Sequence, residues 1–476
     1  MVDYVPFFIG TQRRSSPECV PVSNPYTGEV IAHVCQATAS DVEEALCLAV
    51  QASSALASVP TYVRAHALAS LAEAVRTRQE DFAQTITRES GKPITDARRE
   101  VNRAIQTFLI ASEEAKRLPG EVIPLDLTPG TEHHLGLWQR VPIGPVLGIT
   151  PFNFPLNLVA HKVAPCVAAG NPLVLKPAPQ TPLTALLLGE VFQSLDLPSG
   201  TLSILPCSNA RAEAMVQDAR FQAFSFTGSA AVGWMLKERA GKKRALLELG
   251  GNAGVIIEPD ADLDFAAKRC AAGGFAYSGQ TCIAVQRVFV HEQVYDAFVH
   301  VFLDCVKALP CGDPLQESTV VGPLIDERAA QRVETWIREA VAQGASILTG
   351  GMRQGAFIAP TVLAEVTPEM KVSCEEVFGP VVTITRYHEF DHALQLVNES
   401  PYGLQAGVFT NDVHKIFKAY RQLAVGAVLA NEIPTFRADH MPYGGVKDSG
   451  LGREGVRYAI TELTELKLLV LNLPPH

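Results

Sequence analysis

No run of apolar residues among these 476 is long enough to span a bilayer, and residues 1–10 lack the basic-then-apolar layout of a secretory leader. A cytoplasmic chain is therefore expected. Basic residues are in the minority, 40 lysines and arginines against 50 aspartates and glutamates, and they form no cluster interleaved with aromatics. A net charge of −10 without basic patches argues against nucleic acid and membrane surfaces as partners. Close cysteine pairs are missing too. The ten cysteines stand at positions 19, 35, 47, 166, 207, 270, 282, 305, 311 and 374, spaced for neither a zinc site nor a redox motif. They read as reduced thiols, mostly small buried hydrophobes, and no metal is expected. Internal repeats and low-complexity tracts are absent. What remains is a small molecule as the partner.

Hydrophobic residues make up 47% of the chain, enough for a sizeable core, and the length exceeds what one core usually organises, so two domains are expected. Short β-rich runs alternate with helical patterns, the signature of parallel sheets covered by helices. Helices are predicted over 41–57, 62–76, 79–89 and 94–116, broken at Pro60 and at Gly91-Lys92-Pro93. Buried strands are predicted at 146–149, 172–175, 224–226 and 245–249, with helices at 183–195 and 230–239 between them. A second α/β series starts near Gly251, with strands at 254–257, 287–290, 381–387 and 406–409 and helices at 263–272, 293–309 and 327–342. Segments 135–140 and 466–471 read as strands outside both series, of the kind that pairs between subunits.

One glycine pattern, Gly450, Gly452 and Gly455, has the spacing of a dinucleotide fingerprint. It lies too near the C-terminus to open the strand–helix–strand unit of about 30 residues that such a fingerprint serves. A better phosphate cradle is Phe226-Thr227-Gly228-Ser229, where a strand ends in a glycine turn before a helix. The free amides of that helix, its dipole and the Ser229 hydroxyl suit a pyrophosphate, although an ordinary N-cap serine fits the same pattern.

Four further stretches carry chemistry: Thr150-Pro151-Phe152-Asn153-Phe154-Pro155, Leu247-Glu248-Leu249-Gly250-Gly251, Ser278-Gly279-Gln280-Thr281-Cys282 and Glu375-Glu376-Val377-Phe378-Gly379-Pro380. A thiol ordinarily ionises near pH 8.5, so Cys282 needs a proton acceptor and a site favouring the thiolate. Glu248, set in the apolar run Ala245-Leu246-Leu247-Glu248-Leu249, is either satisfied structurally or functional, because a lone buried charge is costly. Asn153 offers an amide donor just after a strand end, where α/β folds bind ligands.

In order and spacing, these stretches resemble the aldehyde dehydrogenase superfamily, and the resemblance runs from Asn24-Pro25-Tyr26 to Gly452-Arg453-Glu454-Gly455. It implies two Rossmann-like open parallel-sheet α/β domains plus a small β element for oligomerisation. The expected division is 1–122 and 141–250, rejoined by 443–461, for the cofactor; 251–442 for catalysis; and 123–140 with 462–476 for a homodimer or homotetramer. It also implies that Cys282 is the nucleophile forming a thioester, Glu248 the base for thiol and water, and Asn153, with the Cys282 amide, the oxyanion hole. Lys162 and Glu454 match a pair passing protons away from Glu248, or a plain buried ion pair. NAD or NADP is the implied cofactor. Lys176 matches its ribose contact, Gly228 and Ser229 its pyrophosphate site, and Glu376 and Phe378 its nicotinamide end, with Thr150, Pro151, Phe152, Leu249 and Gly250 beside them.

Ile283-Ala284-Val285-Gln286-Arg287 and the stretch from Phe436 to Gly445 look most like the lactaldehyde and phosphonoacetaldehyde branch, so a small polar aldehyde or a semialdehyde is expected. Arg437 and His161 are the candidate substrate contacts, Arg437 beside Asp439 being open to a structural reading as an ion pair. Pro179 stands where NAD-selective members place a glutamate, leaving NAD and NADP both open. Two rival readings are a CoA-acylating enzyme and a catalytically silent relative used for binding.

Overall fold

The computed structural model describes residues 4–473. Its β-rich runs fall into two large sheets. In the first, of eight strands, five central ones run parallel in the order Arg244–Glu248, Ala223–Thr227, Val146–Ile149, Leu173–Lys176 and Leu202–Ile204. Antiparallel additions close the edges: Gly450–Leu451 beside Arg244–Glu248, and the hairpin Phe7–Ile9 with Gln12–Arg14 beside Leu202–Ile204. Helices cover these strands on both faces, so every residue of Ala223–Thr227 is buried, and the strands show unbroken apolar runs rather than alternation.

The second sheet has seven strands in the order Ser346–Thr349, Thr361–Ala364, Val381–Tyr387, Val285–His291, Ala253–Ile257, Gln405–Phe409 and Ala427–Ala430, all parallel except the first. Chain passes between the sheets at Leu249–Asn252. That crossing lies at the carboxyl end of Arg244–Glu248, where open α/β sheets bind ligands.

Segments 135–140 and 466–471 lie outside both sheets, within a three-stranded antiparallel sheet of Thr464–Asn472, His134–Pro142 and Gly120–Pro124. Residues 1–3 and 474–476, which end the expected N-terminal and C-terminal segments, lie outside the described residues. The small sheet of Tyr4–Val5, Val30–Cys35 and Cys19–Ser23 has no counterpart in the sequence pattern, because short strands interrupted by Pro6, Pro17 and Pro21 carry no clean period. Among the described residues no single helix is both long and apolar enough to cross a membrane, and no cluster of His, Cys, Asp and Glu is arranged to hold a metal.

Candidate active site

A cavity of about 730 Å³ opens between the two sheets, and Cys282, Glu248 and Asn153 all line it. The nucleophile loop is tightly specified. Tyr277, Ser278 and Gly279 all have positive φ, at 49°, 56° and 68°. Two non-glycine residues in that region cost on the order of 1–3 kcal/mol each, and surrounding contacts hold them there. Ser278 Oγ donates to the Gly322 carbonyl at 2.7 Å, and Gln280 Oε1 accepts the Ile325 amide at 2.9 Å. Gly279 is obligatory, since a Cβ would lie 2.3 Å from the Gly379 carbonyl oxygen.

Cys282 Sγ sits 3.0 Å from the Tyr443 hydroxyl. The site does not favour the thiolate as the sequence led one to expect: burial pushes the Cys282 thiol up to about 12, and the Tyr443 hydrogen bond only partly opposes this. A proton acceptor is correspondingly needed. Glu248 is 7% exposed, and its Oε2 is buried without a hydrogen-bond partner among the described residues. Burial first, and then the nearby Glu454 carboxylate, push the Glu248 carboxyl well above its ordinary range. A carboxyl so placed is a stronger base, once deprotonated, than an exposed carboxylate.

Asn153 Nδ2 donates one hydrogen to the Gln280 carbonyl at 3.0 Å. An amide nitrogen carries two hydrogens, so that bond orients the group and leaves one donor for an oxyanion.

The opposite end of the cavity suits a dinucleotide. Gly228, Ser229 and Ala230 form the N-terminus of helix Ala230–Arg239, and the Ser229 side chain makes no capping bond, which leaves its hydroxyl uncommitted. Glu376 Oε1 accepts the Gly251 amide at 2.9 Å, and burial raises its carboxyl to about 7. The glycines of Leu249-Gly250-Gly251 permit this packing: a Cβ on Gly250 would meet Glu376 Oε2 at 2.4 Å, and one on Gly251 the Cys282 carbonyl oxygen at 2.2 Å. Phe152 and Phe378 meet edge to face with centroids 5.7 Å apart. Pro151 and Leu249 complete this wall, whereas Thr150, Lys176 and Pro179 do not line the cavity. Lys176 is buried with its Nζ donating to Asn209 Oδ1 at 3.1 Å, and Pro179 is exposed nearby.

Behind the cavity the polar network differs from the pairing read in the sequence. Lys162 and Glu454 form no ion pair. Lys162 Nζ donates to Ser225 Oγ and Thr227 Oγ1, each at 2.9 Å, while Glu454 accepts from Arg437 Nη2 at 2.6 Å. Arg437 also lies over the Tyr443 ring at 3.8 Å, and reaches Asp439 only through Nε at 3.9 Å, so its main partner is Glu454 and not Asp439. Asp439 instead holds Arg103 in a two-pronged contact of 3.1 and 2.8 Å, and accepts from Asn157 Nδ2 at 3.1 Å and His161 Nε2 at 2.9 Å. Arg437 lines the cavity; His161 does not.

Sequence reading missed Tyr443 and a group of charged residues from Lys92 and helix Ile94–Ala115. Asp96, Arg99, Glu100 and Arg103 line the same cavity end as Lys92. Four charges at near-helical spacing on an otherwise amphipathic helix were the available signal, and they read equally well as a solvated face.

The model of the aldehyde dehydrogenase family matches residues 12–469. The 3-sulfolactaldehyde dehydrogenase of Priestia megaterium is 44% identical to this chain, over 98% of each. Among solved structures, aldehyde dehydrogenase 21 of Physcomitrella patens, in complex with the reaction product succinate, superposes with a TM-score of 0.97 at 46% identity over 99% of both chains. The glyceraldehyde-3-phosphate dehydrogenase GapN of Methanocaldococcus jannaschii, complexed with NADP, gives 0.92 at 37% identity over 96% of this chain and 99% of that one.

Proposed function

The chain belongs to the aldehyde dehydrogenase family and oxidises aldehydes to carboxylic acids with NAD(P), and we propose that its substrate is a small polar aldehyde with an anionic group, oxidised at Cys282. The observation that carries this reading is the one cavity lined by Cys282, Glu248 and Asn153 together with Gly228, Ser229, Glu376 and Phe378 and with the cationic Lys92, Arg99, Arg103 and Arg437.

Glu248 takes the proton of the Cys282 thiol as sulfur adds to the aldehyde carbon. The oxyanion so formed is held by the free N–H of Asn153 and the backbone N–H of Cys282, each worth about 3 kcal/mol. NAD(P), when bound, supplies the hydride acceptor. Gly228 and Ser229 would hold its pyrophosphate, Glu376 and Phe378 its nicotinamide end, and Lys176 its adenosine ribose. The acyl group left on Cys282 is a thioester, and Glu248 removes the proton of the water that hydrolyses it.

At the other end, Lys92, Arg99, Arg103 and Arg437 face the cavity. Arg99 is the least committed of them, 77% exposed and tied only to Asp96 on its own helix. A relative named for a sulfonated aldehyde, and a neighbour holding a dicarboxylate product, support an anionic substrate tail met by these guanidinium groups. The test is NAD(P)H formation with lactaldehyde, 3-sulfolactaldehyde, phosphonoacetaldehyde and succinate semialdehyde, each with and without CoA. A preference for the charged aldehydes is expected, independent of CoA. Turnover only in the presence of CoA would reject hydrolysis by Glu248, and preference for the uncharged aldehyde would reject the anionic tail.

A further inference from the structure

Glu248 is asked to act twice in each turnover under the reading above, first on the thiol and then on water. It must therefore lose the first proton while the acyl group is still attached. The arrangement behind the cavity offers a place for that proton. A small void of about 10 Å³ is bounded by His161, Lys162, Ser225, Glu248 and Glu454, with Ala459 in its wall. It has room for a single water. Two buried polar atoms on residues that bound it, Glu248 Oε2 and His161 Nδ1, have no hydrogen-bond partner among the described residues.

We infer that His161 is a positioning residue for deacylation: through one buried water it takes the proton that Glu248 received from Cys282, and so restores the carboxylate before the thioester is hydrolysed. This inference rests on the proposed role of Glu248.

The hydrogen bonds set the direction of transfer. His161 Nε2 meets two groups, the acceptor Asp439 Oδ1 at 2.9 Å and the donor Arg437 Nη2 at 3.2 Å; the shorter contact assigns the proton to Nε2, so in the neutral ring Nδ1 is the nitrogen with a lone pair. Lys162, which also faces the void, donates to two hydroxyls as an ammonium and has no lone pair to offer. Around His161 the charges are Asp439, itself held by Arg103, and Glu454, held by Arg437, with Lys162 and Glu248 across the void. The two carboxylates stabilise an imidazolium; burial and Arg437 oppose it. Burial also raises Glu248 and lowers His161, which brings the two groups toward equal proton affinity.

The protons balance. The Glu248 carboxylic acid gives its proton to the water, and the water gives one to His161 Nδ1. Glu248 then takes a proton from the hydrolytic water as its oxygen bonds to the acyl carbon and the carbon–sulfur bond breaks. The acid product protonates the departing thiolate, and the protons left on Glu248 and His161 pass to solvent once the product leaves.

His161→Gln tests this, because a glutamine amide can still donate to Asp439 but has no basic lone pair. The variant should keep its melting temperature and its first-turnover burst of NAD(P)H, while steady-state kcat falls by about tenfold or more with KM little changed. The acid limb of its kcat profile should move to higher pH, since only solvent base can then empty Glu248, and small buffer bases should speed it in proportion to concentration. Ala459→Val, which fills the void and leaves His161 in place, should reproduce the slow steady state. Wild-type turnover in either folded variant, or an unmoved pH profile in His161→Gln, would overturn the inference. Should Glu248→Gln hydrolyse its thioester as fast as wild type, the role of Glu248 itself fails, which is a separate result.

Discussion

At the scale of single residues, the decisive fact is that burial acts against the thiolate of Cys282 and also against the carboxylate of Glu248, which makes that carboxylate a stronger base. The thiol is pushed up and the carboxyl is pushed up with it, so the proton has a destination. Cys282→Ala is expected to abolish aldehyde oxidation while leaving NAD(P) binding intact by fluorescence titration, because the sulfur is not one of the proposed cofactor contacts. Oxidation near the wild-type rate would reject the covalent route. Both groups also work better once deprotonated, and Glu248 titrates above its ordinary range. Thus kcat/KM for the aldehyde should fall on the acid side as Glu248 becomes protonated, at a pH above that of an ordinary carboxyl. An acid limb at the ordinary carboxyl range, or none, would show that Glu248 does not limit the first half-reaction. Pro179 and Lys176 set a third expectation. A proline there neither accepts from ribose hydroxyls nor repels a 2′-phosphate, and the buried Lys176 amine is held only by the neutral Asn209. NADP should be used with an efficiency within about tenfold of NAD, and Pro179→Glu should lower the NADP to NAD ratio of kcat/KM. An unchanged ratio in the mutant would place selectivity elsewhere.

At the scale of elements, helix Ile94–Ala115 is tied to helix Asn157–Ala169 through one carboxylate. Glu100 Oε1 accepts the amides of Leu156 and Asn157 at 2.9 and 3.1 Å, at the positive end of the second helix's dipole, and Oε2 pairs with Lys92. Lys92 lies 3.6 Å from the Phe154 ring centroid, next to the Asn153 turn. Glu100→Ala would leave Lys92 charged and unpaired in the interior, a loss of about 3–5 kcal/mol. That should appear as a lower denaturation midpoint together with weaker activity, because the Asn153 turn rests on this junction. A change below about 1 kcal/mol would show the pair to be dispensable. None of this could be read beforehand, since Glu100 and Asn157 are far apart in sequence and helix Asn157–Ala169, buried along its whole length, has no apolar period to announce it. By contrast, the strands ending at Ile149, Thr227 and Glu248 stood out as short apolar runs stopped by turn residues, and Cys282 and Glu248 stood out through local context. What sequence could not supply were partners chosen by three-dimensional packing: Tyr443 for Cys282, Arg437 for Glu454, and Ser225 with Thr227 for Lys162.

At the scale of the whole molecule, the three-stranded sheet raises a question that the two large sheets do not. Thr464–Asn472 pairs with His134–Pro142 along nine residues in unbroken register, yet among the described residues its other edge meets no strand. Leu466, Leu468, Leu469 and Val470 on it are 47–57% exposed. A long, flat, apolar edge is a template for pairing with another chain, and natural proteins leave one open only where a partner covers it. A second copy of the same chain satisfies both the backbone groups and the side chains, since related edges present the same surface to each other. The protein is therefore expected to be a dimer or a tetramer, with light scattering giving two or four times the 51.3 kDa of one chain. Leu468→Asp combined with Val470→Asp would place two like charges on the exposed face and reduce that mass to one chain. No residue lining the cavity lies on the strands of this small sheet, so the double variant should keep its NAD(P)H burst if it stays folded. A single-chain mass for the wild type at micromolar concentration, or an undiminished mass for the double variant, would mean that this edge is not where copies meet.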